Sequence, residues 1–457
     1  MSRTTQRIEP RATGPARPAT DSLLVRGGRV IDPASGHDAV ADLLIVEGRI
    51  HTLGRAREPA AVTLDAAGLI VCPGLIDMHV HLREPGNEEE ETIASGTAAA
   101  VAGGFTSVAC MPNTQPPLDN EGAIESIFRQ AARSASCNVF PIGALTKGRA
   151  GRELAEMGQM VRAGAVAFSD DGCGIASSAV MLRALQYAGM FGRTVIQHCE
   201  DAELAAGGCM HAGPTATRLG LPGIAAAAEE LMVQRDLLLA GLTGTRYHVA
   251  HISTRTAVRL VREAKAAGAP VSAEVTPHHL LLTDEACATF DTRFKVNPPL
   301  RSAADVEACV AGVVDGTIDC LCTDHAPHAA DEKALDFPAA PFGMVGLESA
   351  VATSLRALVE PGRIDWPRWV ALWTINPARA LQIDRGTLAP GAVADVTVID
   401  PQEAWTIDPA AFRSLSRNTP FAGWSVLGRA VLTLVAGRPK YCGREPWREW
   451  AKESGGC

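Results

Sequence analysis

Residues 77–86 read Asp-Met-His-Val-His-Leu-Arg-Glu-Pro-Gly, which sets His79, His81 and Arg83 at alternate positions. In an extended chain, residues i, i+2 and i+4 project to the same side. His79 and His81 can therefore grip one metal ion together, while Arg83 reaches from the same face toward an anionic substrate. A His-x-His pair alone is only suggestive, because two core histidines fall at this spacing by chance. The rest of the chain adds weight. Asn113 stands in Met-Pro-Asn-Thr, Asp170 and Asp171 in Ser-Asp-Asp-Gly, and His198, His251, Asp324, His325 and His328 each follow a strand-like run. Imidazole and carboxylate are the ligands a zinc-like divalent ion prefers. One ion can take His79, His81 and a carboxylate; a second can share that carboxylate and take His198 and His251. Two ions so placed hold a hydroxide at neutral pH and polarise a carbonyl, which reads as a metal-dependent hydrolase. Each residue also has a plainer reading. His198 can be a satisfied core histidine, Asp171 and Asp324 turn residues, and Arg83 a partner of Glu84 or Glu88 on a loop. Their coincidence at one rim makes the plain readings the less economical account. His248, His278 and His279 read as structural, or as supports for the ligands.

Such residues need a scaffold that gathers many strand ends. The middle of the chain alternates strand-like and helix-like runs. Strands are expected at 74–82, 105–111, 138–145, 165–170, 194–199, 246–252, 271–275 and 318–323. Helices between them are expected at, among others, 177–190, 223–241, 254–268 and 302–313, with Ser177, Ser253 and Ser302 as cap-type residues at their starts. Eight β runs alternating with helices predict an α/β fold, a (β/α)8 barrel of the TIM type, over an open doubly wound sheet. No Gly-x-Gly-x-x-Gly follows the first strand, which argues against dinucleotide binding. In such barrels the active site lies at the C-terminal strand ends, where the residues above fall.

Short alternating segments between 22 and 72, turning at Gly27-Gly28 and Glu47-Gly48, predict hairpin-style β structure. The same texture returns at 391–400 and 428–437. The expected division is a disordered tail at 1–21, the first part of a small β-rich domain at 22–72, the barrel at 73–378, the second part of the β-rich domain at 379–440, and a C-terminal tail at 441–457. A chain of 457 residues accommodates a barrel of about 250 residues plus that module. Hydrophobic residues at 47% and charged residues at 20% support a large core. A net charge of −9 argues against a nucleic-acid binder, which would carry a basic stripe. No apolar run reaches the roughly 18 residues of a membrane span, and residues 1–20 lack the apolar stretch of a secretory signal. Twelve cysteines without a Cys-x-x-Cys pair fit reduced thiols and a cytoplasmic location.

The run 77–86 resembles the signature of the cyclic amidohydrolases, specifically the dihydroorotase family in its bacterial long-chain, class I form. Residues 111–114, 168–172, 251–254, 296–301, 323–328 and 340–343 resemble that family too, in its order, and the likeness extends over about residues 22 to 440. The resemblance implies roles. His79 and His81 match the first metal's histidines, Asp171 (rather than Asp170) the carboxylate bridging two metals, and His198 and His251 the second metal's histidines. Asp324 matches the residue that touches the metal site and moves the proton. His81, Leu82, Arg83, Asn113 and Asn297 match binders of the substrate's carboxylate and ring, with His328 and the main chain of Phe342 and Gly343 closing around it. Segment 329–341 then reads as a mobile loop. The implied cofactors are two divalent ions, zinc by expectation. The implied reaction is the reversible hydrolysis of L-dihydroorotate to N-carbamoyl-L-aspartate in de novo pyrimidine (UMP) synthesis, by a hydroxide held between the metals. Asp324 acts as base and then acid, and Arg83 holds the substrate's carboxylate through two hydrogen bonds. The implied partners are the small-molecule substrate, further copies of the chain, and aspartate transcarbamoylase; no nucleic acid and no membrane is expected.

The nearest rival is a hydantoinase or allantoinase. Those enzymes usually bridge their metals with a carbamylated lysine at the end of strand 4, whereas this chain reads Ala165-Val-Ala-Phe-Ser-Asp-Asp there, without lysine. A rival of another class is a non-catalytic scaffold for aspartate transcarbamoylase. Such homologues tend to lose metal ligands, and every one is present here.

Overall fold

The computed structural model describes residues 22–445 and 447–454; the expected tail at 1–21 lies outside the described residues. The apolar run leading to His79 is split at Pro73-Gly74. Ile70–Pro73 joins a small β-rich sheet, and Leu75–Val80 opens the barrel. A Cβ at position 74 would meet Thr106 Oγ1 at 2.1 Å, so only glycine lets the chain cross here.

The barrel strands are β1 (Leu75–Val80), β2 (Phe105–Cys110), β3 (Asn138–Pro141), β4 (Ala167–Phe168), β5 (Thr194–Gln197), β6 (Tyr247–Val249), β7 (Val271–Val275) and β8 (Cys320–Leu321). All pair in parallel, as β1-β2-β3 and β4-β5-β6-β7-β8. Bridges at Gly143–Phe168 and Val80–His325 join the two sets and close the cylinder. The barrel expectation therefore holds. Most strands stop short of their expected ends, because polar side chains take over from the ladder there. Leu145, expected to end β3, and the following Thr146 donate their N–H groups to Asp170 Oδ1 instead (2.8 and 3.1 Å).

The helices between strands are α1 (Ile93–Ala102), α2 (Glu121–Ser134), α3 (Met157–Ala163), α4 (Ser178–Met190), α5 (Ala227–Thr243), α6 (Arg255–Ala266) and α7 (Ala303–Asp315). Ser177 and Ser302 cap α4 and α7 through their hydroxyls, as expected. Ser253 does not cap α6. Thr254 does, accepting from Ala257 N at 3.1 Å, while the Ser253 hydroxyl is committed to Glu229 and Arg301. The helix expected from 223 starts at Ala227, because Gly223–Ile224 pairs as a short strand with Met210–His211.

Both chain ends build one eight-stranded sheet, in which Ile70–Pro73 lies antiparallel to Val396–Thr406 and parallel to Ser22–Asp32. Buried polar ties fasten this sheet to the barrel: Asn138 Nδ2 donates to Asp395 Oδ2 (2.9 Å) and Thr397 Oγ1 to Gly104 O (2.6 Å). The stretch expected as a tail from 441 is ordered in its described part. Arg438–Cys442 is a strand of this sheet, and Trp447–Glu453 forms a helix that buries Trp447 and Ala451 against it. A large aromatic side chain supplies the apolar area that pins so short a helix. No two of the described cysteines are joined by a disulfide. No helix among them is long and apolar enough to cross a membrane.

Candidate active site

His79 and His81 leave the end of β1 into the centre of the barrel mouth, with His79 fully buried. His79 Nδ1 lies 2.6 Å from Glu274 Oε1 on β7, and His81 Nδ1 lies 2.8 Å from Asn113 Oδ1 after β2. An oxygen acceptor at Nδ1 places the proton there and leaves Nε2 as a lone pair, the form a metal ligand needs. Both Nε2 atoms face the same two carboxylates. His79 Nε2 stands 3.3 Å from Asp171 Oδ1 and 3.5 Å from Asp324 Oδ1; His81 Nε2 stands 3.6 Å from Asp171 Oδ2 and 3.1 Å from Asp324 Oδ1. On the far side, His251 Nε2 lies 3.8 Å from Asp171 Oδ1 and 2.9 Å from His198 Nδ1. Asp171 is thus shared between two pairs of histidines. Asp170 points away, occupied by the N–H groups of Leu145 and Thr146 and by the Thr146 hydroxyl.

The electrostatics suit cations. Against the penalty of burial, Asp171, Asp324 and Glu274 raise His79 well above its ordinary range, so three carboxylates call for positive charge at this point. Despite burial, the same histidines hold Asp171 and Asp324 below the usual carboxylate range. Burial, with the neighbouring His251, lowers His198 and favours its neutral form. His79 Nε2 and Asp171 Oδ1 are buried and have no hydrogen-bond partner. Polar atoms so buried are costly unless something pairs with them. The donor set around them, imidazole nitrogens with a shared carboxylate, fits divalent metal ions.

The rim carries the polar side chains. Arg83 is buried, with Nε 2.8 Å from Glu90 Oε2 and 3.0 Å from Pro327 O. Its expected partners are otherwise engaged: Glu84 accepts from Ile93 N and Glu88 from Gly86 N. Arg83 Nη2 stands 3.3 Å from His328 Nε2, which donates to Phe342 O at 2.7 Å. Burial, helped by the Arg83 charge, lowers His328 to about 3, so it is neutral. Asn297 Nδ2 donates to Glu200 Oε2 at 2.9 Å and lies 3.4 Å from His198 Nε2; its Oδ1 is buried without a partner. Gly343 has φ +140°, and a Cβ there would lie 2.9 Å from His328 Nε2. Leu82 differs from the rest. Its side chain packs in the apolar core against Gly96, so it can offer a substrate only its main chain. Lys147 lies away from the cluster, exposed and paired with Glu153. Segment 329–341, expected to be mobile, contains a helical turn and buries Phe337 and Ala340.

Three of these residues carry a further mark. Arg83 (φ 59°), His251 (φ 29°) and Asp324 (φ 48°) are non-glycine residues in the left-handed region, a conformation retained where the surroundings over-determine it. Sequence reasoning missed Glu274, Glu90 and Glu200. Glu274 had a readable signal, a lone carboxylate within an expected strand; Glu90 and Glu200 had none.

A family model described as dihydro-orotase-like matches residues 68–257. The chain is 56% identical to the dihydroorotase of Pelotomaculum thermopropionicum over 417 residues, covering 91% of this chain and 97% of that one. It is 52% identical to the dihydroorotase of Geobacter sp. strain M21 (92% and 99% covered) and 51% identical to that of Solibacter usitatus (92% and 98% covered). Among solved structures, the L-hydantoinase of Arthrobacter aurescens matches with a TM-score of 0.82 at 27% identity, over 93% of this chain and 96% of that one. The dihydropyrimidinase of Brevibacillus agri matches with a TM-score of 0.81 at 23% identity over 92% and 95%, a likeness of fold.

Proposed function

The chain belongs to the dihydroorotase family, and from that premise we propose that it catalyses the reversible hydrolysis of L-dihydroorotate to N-carbamoyl-L-aspartate, a ring-amide opening of de novo pyrimidine synthesis. The observation that carries the reading is Asp171, buried with its Oδ1 unpartnered by hydrogen bonds, facing His79, His81 and His251 at the end of a strand that offers no lysine. We propose two zinc ions, one on His79, His81 and Asp171 and one on Asp171, His198 and His251; when bound, they acidify water and polarise the ring carbonyl.

The chain's own residues supply the rest. Asp324, buried at the mouth between His79 and His81, takes the proton of the attacking water and returns it to the leaving ring nitrogen. Glu90 and Pro327 O hold Arg83 by Nε, which leaves the outer guanidinium nitrogens for the substrate's carboxylate. Asn297 offers its unpartnered Oδ1 to a ring N–H, and Asn113, whose Oδ1 is taken by His81, offers its Nδ2. His328, Phe342 and Gly343 line the remaining edge.

The test is turnover of L-dihydroorotate, hydantoin and allantoin by purified zinc-loaded protein. Dihydroorotate should be the preferred substrate by kcat/KM, and a preference for hydantoin or allantoin would replace this reading with the rival one. We also propose a homo-oligomer. Leu231, Leu238 and Leu242 lie along one face of α5 and are 52%, 69% and 74% exposed, beside the exposed Met190 at the end of the neighbouring α4. Large apolar side chains exposed together on one helix face suit an interaction surface. Sedimentation of the wild type and of Leu238→Glu should show a larger species that the charge disperses. The same run with added aspartate transcarbamoylase reads out that association.

A further inference from the structure

Two lysines lie beneath the segment that carries Phe342 and Gly343. Lys295 is 3% exposed and Lys333 is 8% exposed. Neither has a carboxylate at ion-pair distance among the described residues; their ammonium groups donate to main-chain carbonyls. Lys295 Nζ donates to Pro338 O (2.9 Å) and Ala340 O (2.6 Å), and it lies 4.4 Å from the centre of the Phe342 ring. Lys333 Nζ donates to Pro341 O (2.9 Å) and Gly343 O (3.0 Å), with Lys295 O at 3.5 Å. A buried charge is expensive unless its donors are satisfied, and here only this segment's carbonyls and that of Lys295 satisfy them. The arrangement is therefore specific to one path of the segment.

The path matters for the site. With the carbonyls of 338, 340, 341 and 343 drawn onto the two lysines, Phe342 O is left to accept from His328 Nε2, which stands beside Arg83. Gly343 N donates to Lys295 O at 2.9 Å, and Asn418 Nδ2 donates to Gly343 O at 3.1 Å, so the peptides on both sides of Gly343 are held. Lys333 is itself anchored, since the Thr292 hydroxyl donates to its carbonyl.

We propose that Lys333, assisted by Lys295, is a positioning residue that clamps segment 338–343 so that Phe342, Gly343 and His328 meet the substrate in one fixed arrangement. The clamp acts on substrate binding and leaves proton transfer and metal holding to the groups already described. This inference rests on the proposed function for its substrate, L-dihydroorotate.

The experiment uses zinc-loaded full-length protein as wild type, Lys333→Met, Lys333→Gln and Lys295→Met. It measures kcat and KM for L-dihydroorotate, bound zinc, and deuterium uptake of peptides spanning 334–343. Loss of hydrogen bonds to a charged group should raise KM about tenfold or more in Lys333→Met, with kcat changed less than about threefold. Bound zinc should stay at the wild-type level while uptake in 334–343 speeds up. Lys333→Gln, which keeps two N–H donors, should fall between. Unchanged KM and uptake in Lys333→Met would overturn the proposal. So would a fall in kcat and zinc at constant KM, since that describes general support of the metal cluster. If Lys333→Met fails to fold, Lys295→Met carries the same test through Pro338 and Ala340. If the wild type fails to turn over dihydroorotate, the functional reading falls, and deuterium uptake still decides the clamp.

Discussion

Replacing Asp324 by Asn separates proton transfer from metal holding. The Asp324 carboxylate lies 3.1 Å from His81 Nε2 and 3.5 Å from His79 Nε2, and these histidines keep it ionised below the usual carboxylate range despite its burial. It is therefore ionised at working pH, the state the proposed base needs, and in either direction its conjugate acid would return the proton. Asn matches it in shape and can still offer an oxygen, but it cannot accept and return a proton. General acid–base catalysis contributes a factor of about 10² to 10⁴, equivalent to about 3 to 5 kcal/mol of barrier. Asp324→Asn should lose about that factor in kcat/KM in both directions, because one group serves both by microscopic reversibility. Metal should stay, since His79, His81, Asp171, His198 and His251 are untouched. Asp171→Asn should behave otherwise, losing metal and activity together, because a neutral amide bridges two cations poorly. The assay follows dihydroorotate formation and loss by absorbance, with elemental analysis and a thermal melt on the same samples. Near wild-type turnover by metal-loaded Asp324→Asn would refute the reasoning. His328 would then be the next candidate, although its Nε2 is committed to Phe342 O.

Arg83→Lys keeps the charge but not the fork, so KM for dihydroorotate should rise about tenfold or more while the melting temperature moves little; an unchanged kcat/KM in folded protein would remove Arg83 from the carboxylate site. Glu274→Gln should weaken zinc retention about 10- to 100-fold in chelator competition, from two equivalents per chain in the wild type, because Glu274 fixes the proton of His79 on Nδ1; wild-type retention would show that the pair is dispensable. Burial pushes Glu348 up to about 7, against the N–H groups of Arg413 and Ser414 that favour its charged form. The folded state thus holds a proton that the unfolded chain releases near 4.5, so this group's contribution to stability falls as pH rises from about 4.5 to about 7. Glu348→Gln keeps the acceptor and removes the titration, so it should melt increasingly above the wild type across that window and match it at pH 4; parallel melting curves would contradict the assignment.

The metal-ligand candidates were legible because their types are scarce and the barrel rule says where strands end. Asp171, His198 and His251 could be placed at one rim without knowing a single contact. The supports were harder. Glu84 and Glu88 looked like partners for Arg83 because they are close in sequence. The chain instead turns through 84–90, spending Glu84 on the start of α1 and Glu88 on the turn itself, and brings Glu90 back to the guanidinium. Ser253 and Thr254 are equally good cap residues by type; only the buried Glu229 and Arg301 decide that Ser253 is taken. Lys295 and Lys333 were invisible for a deeper reason. A lysine in sequence reads as solvent-exposed, and nothing local records that carbonyls from 338–343 will enclose it.

Asp77 shows how fold and site depend on one another. It opens the run that drew attention to this chain, yet it points to no metal. Its carboxylate, fully buried on β1, accepts from Thr323 N at 3.2 Å and from the Thr323 hydroxyl at 2.5 Å beyond β8, and also from His79 N at 3.2 Å. One side chain thus fastens the first strand to the last, where the cylinder closes, and it sits two residues before His79 and one contact before Asp324. Burial raises it to about 7 even though these donors favour its charged form. The tie is therefore held against a desolvation cost, and Asp324 adopts its left-handed φ immediately beyond it. The same three hydrogen bonds thus support both the closure of the barrel and the spacing between His79 and Asp324. A change at Asp77 that loosened the closure would therefore also separate His79 from Asp324.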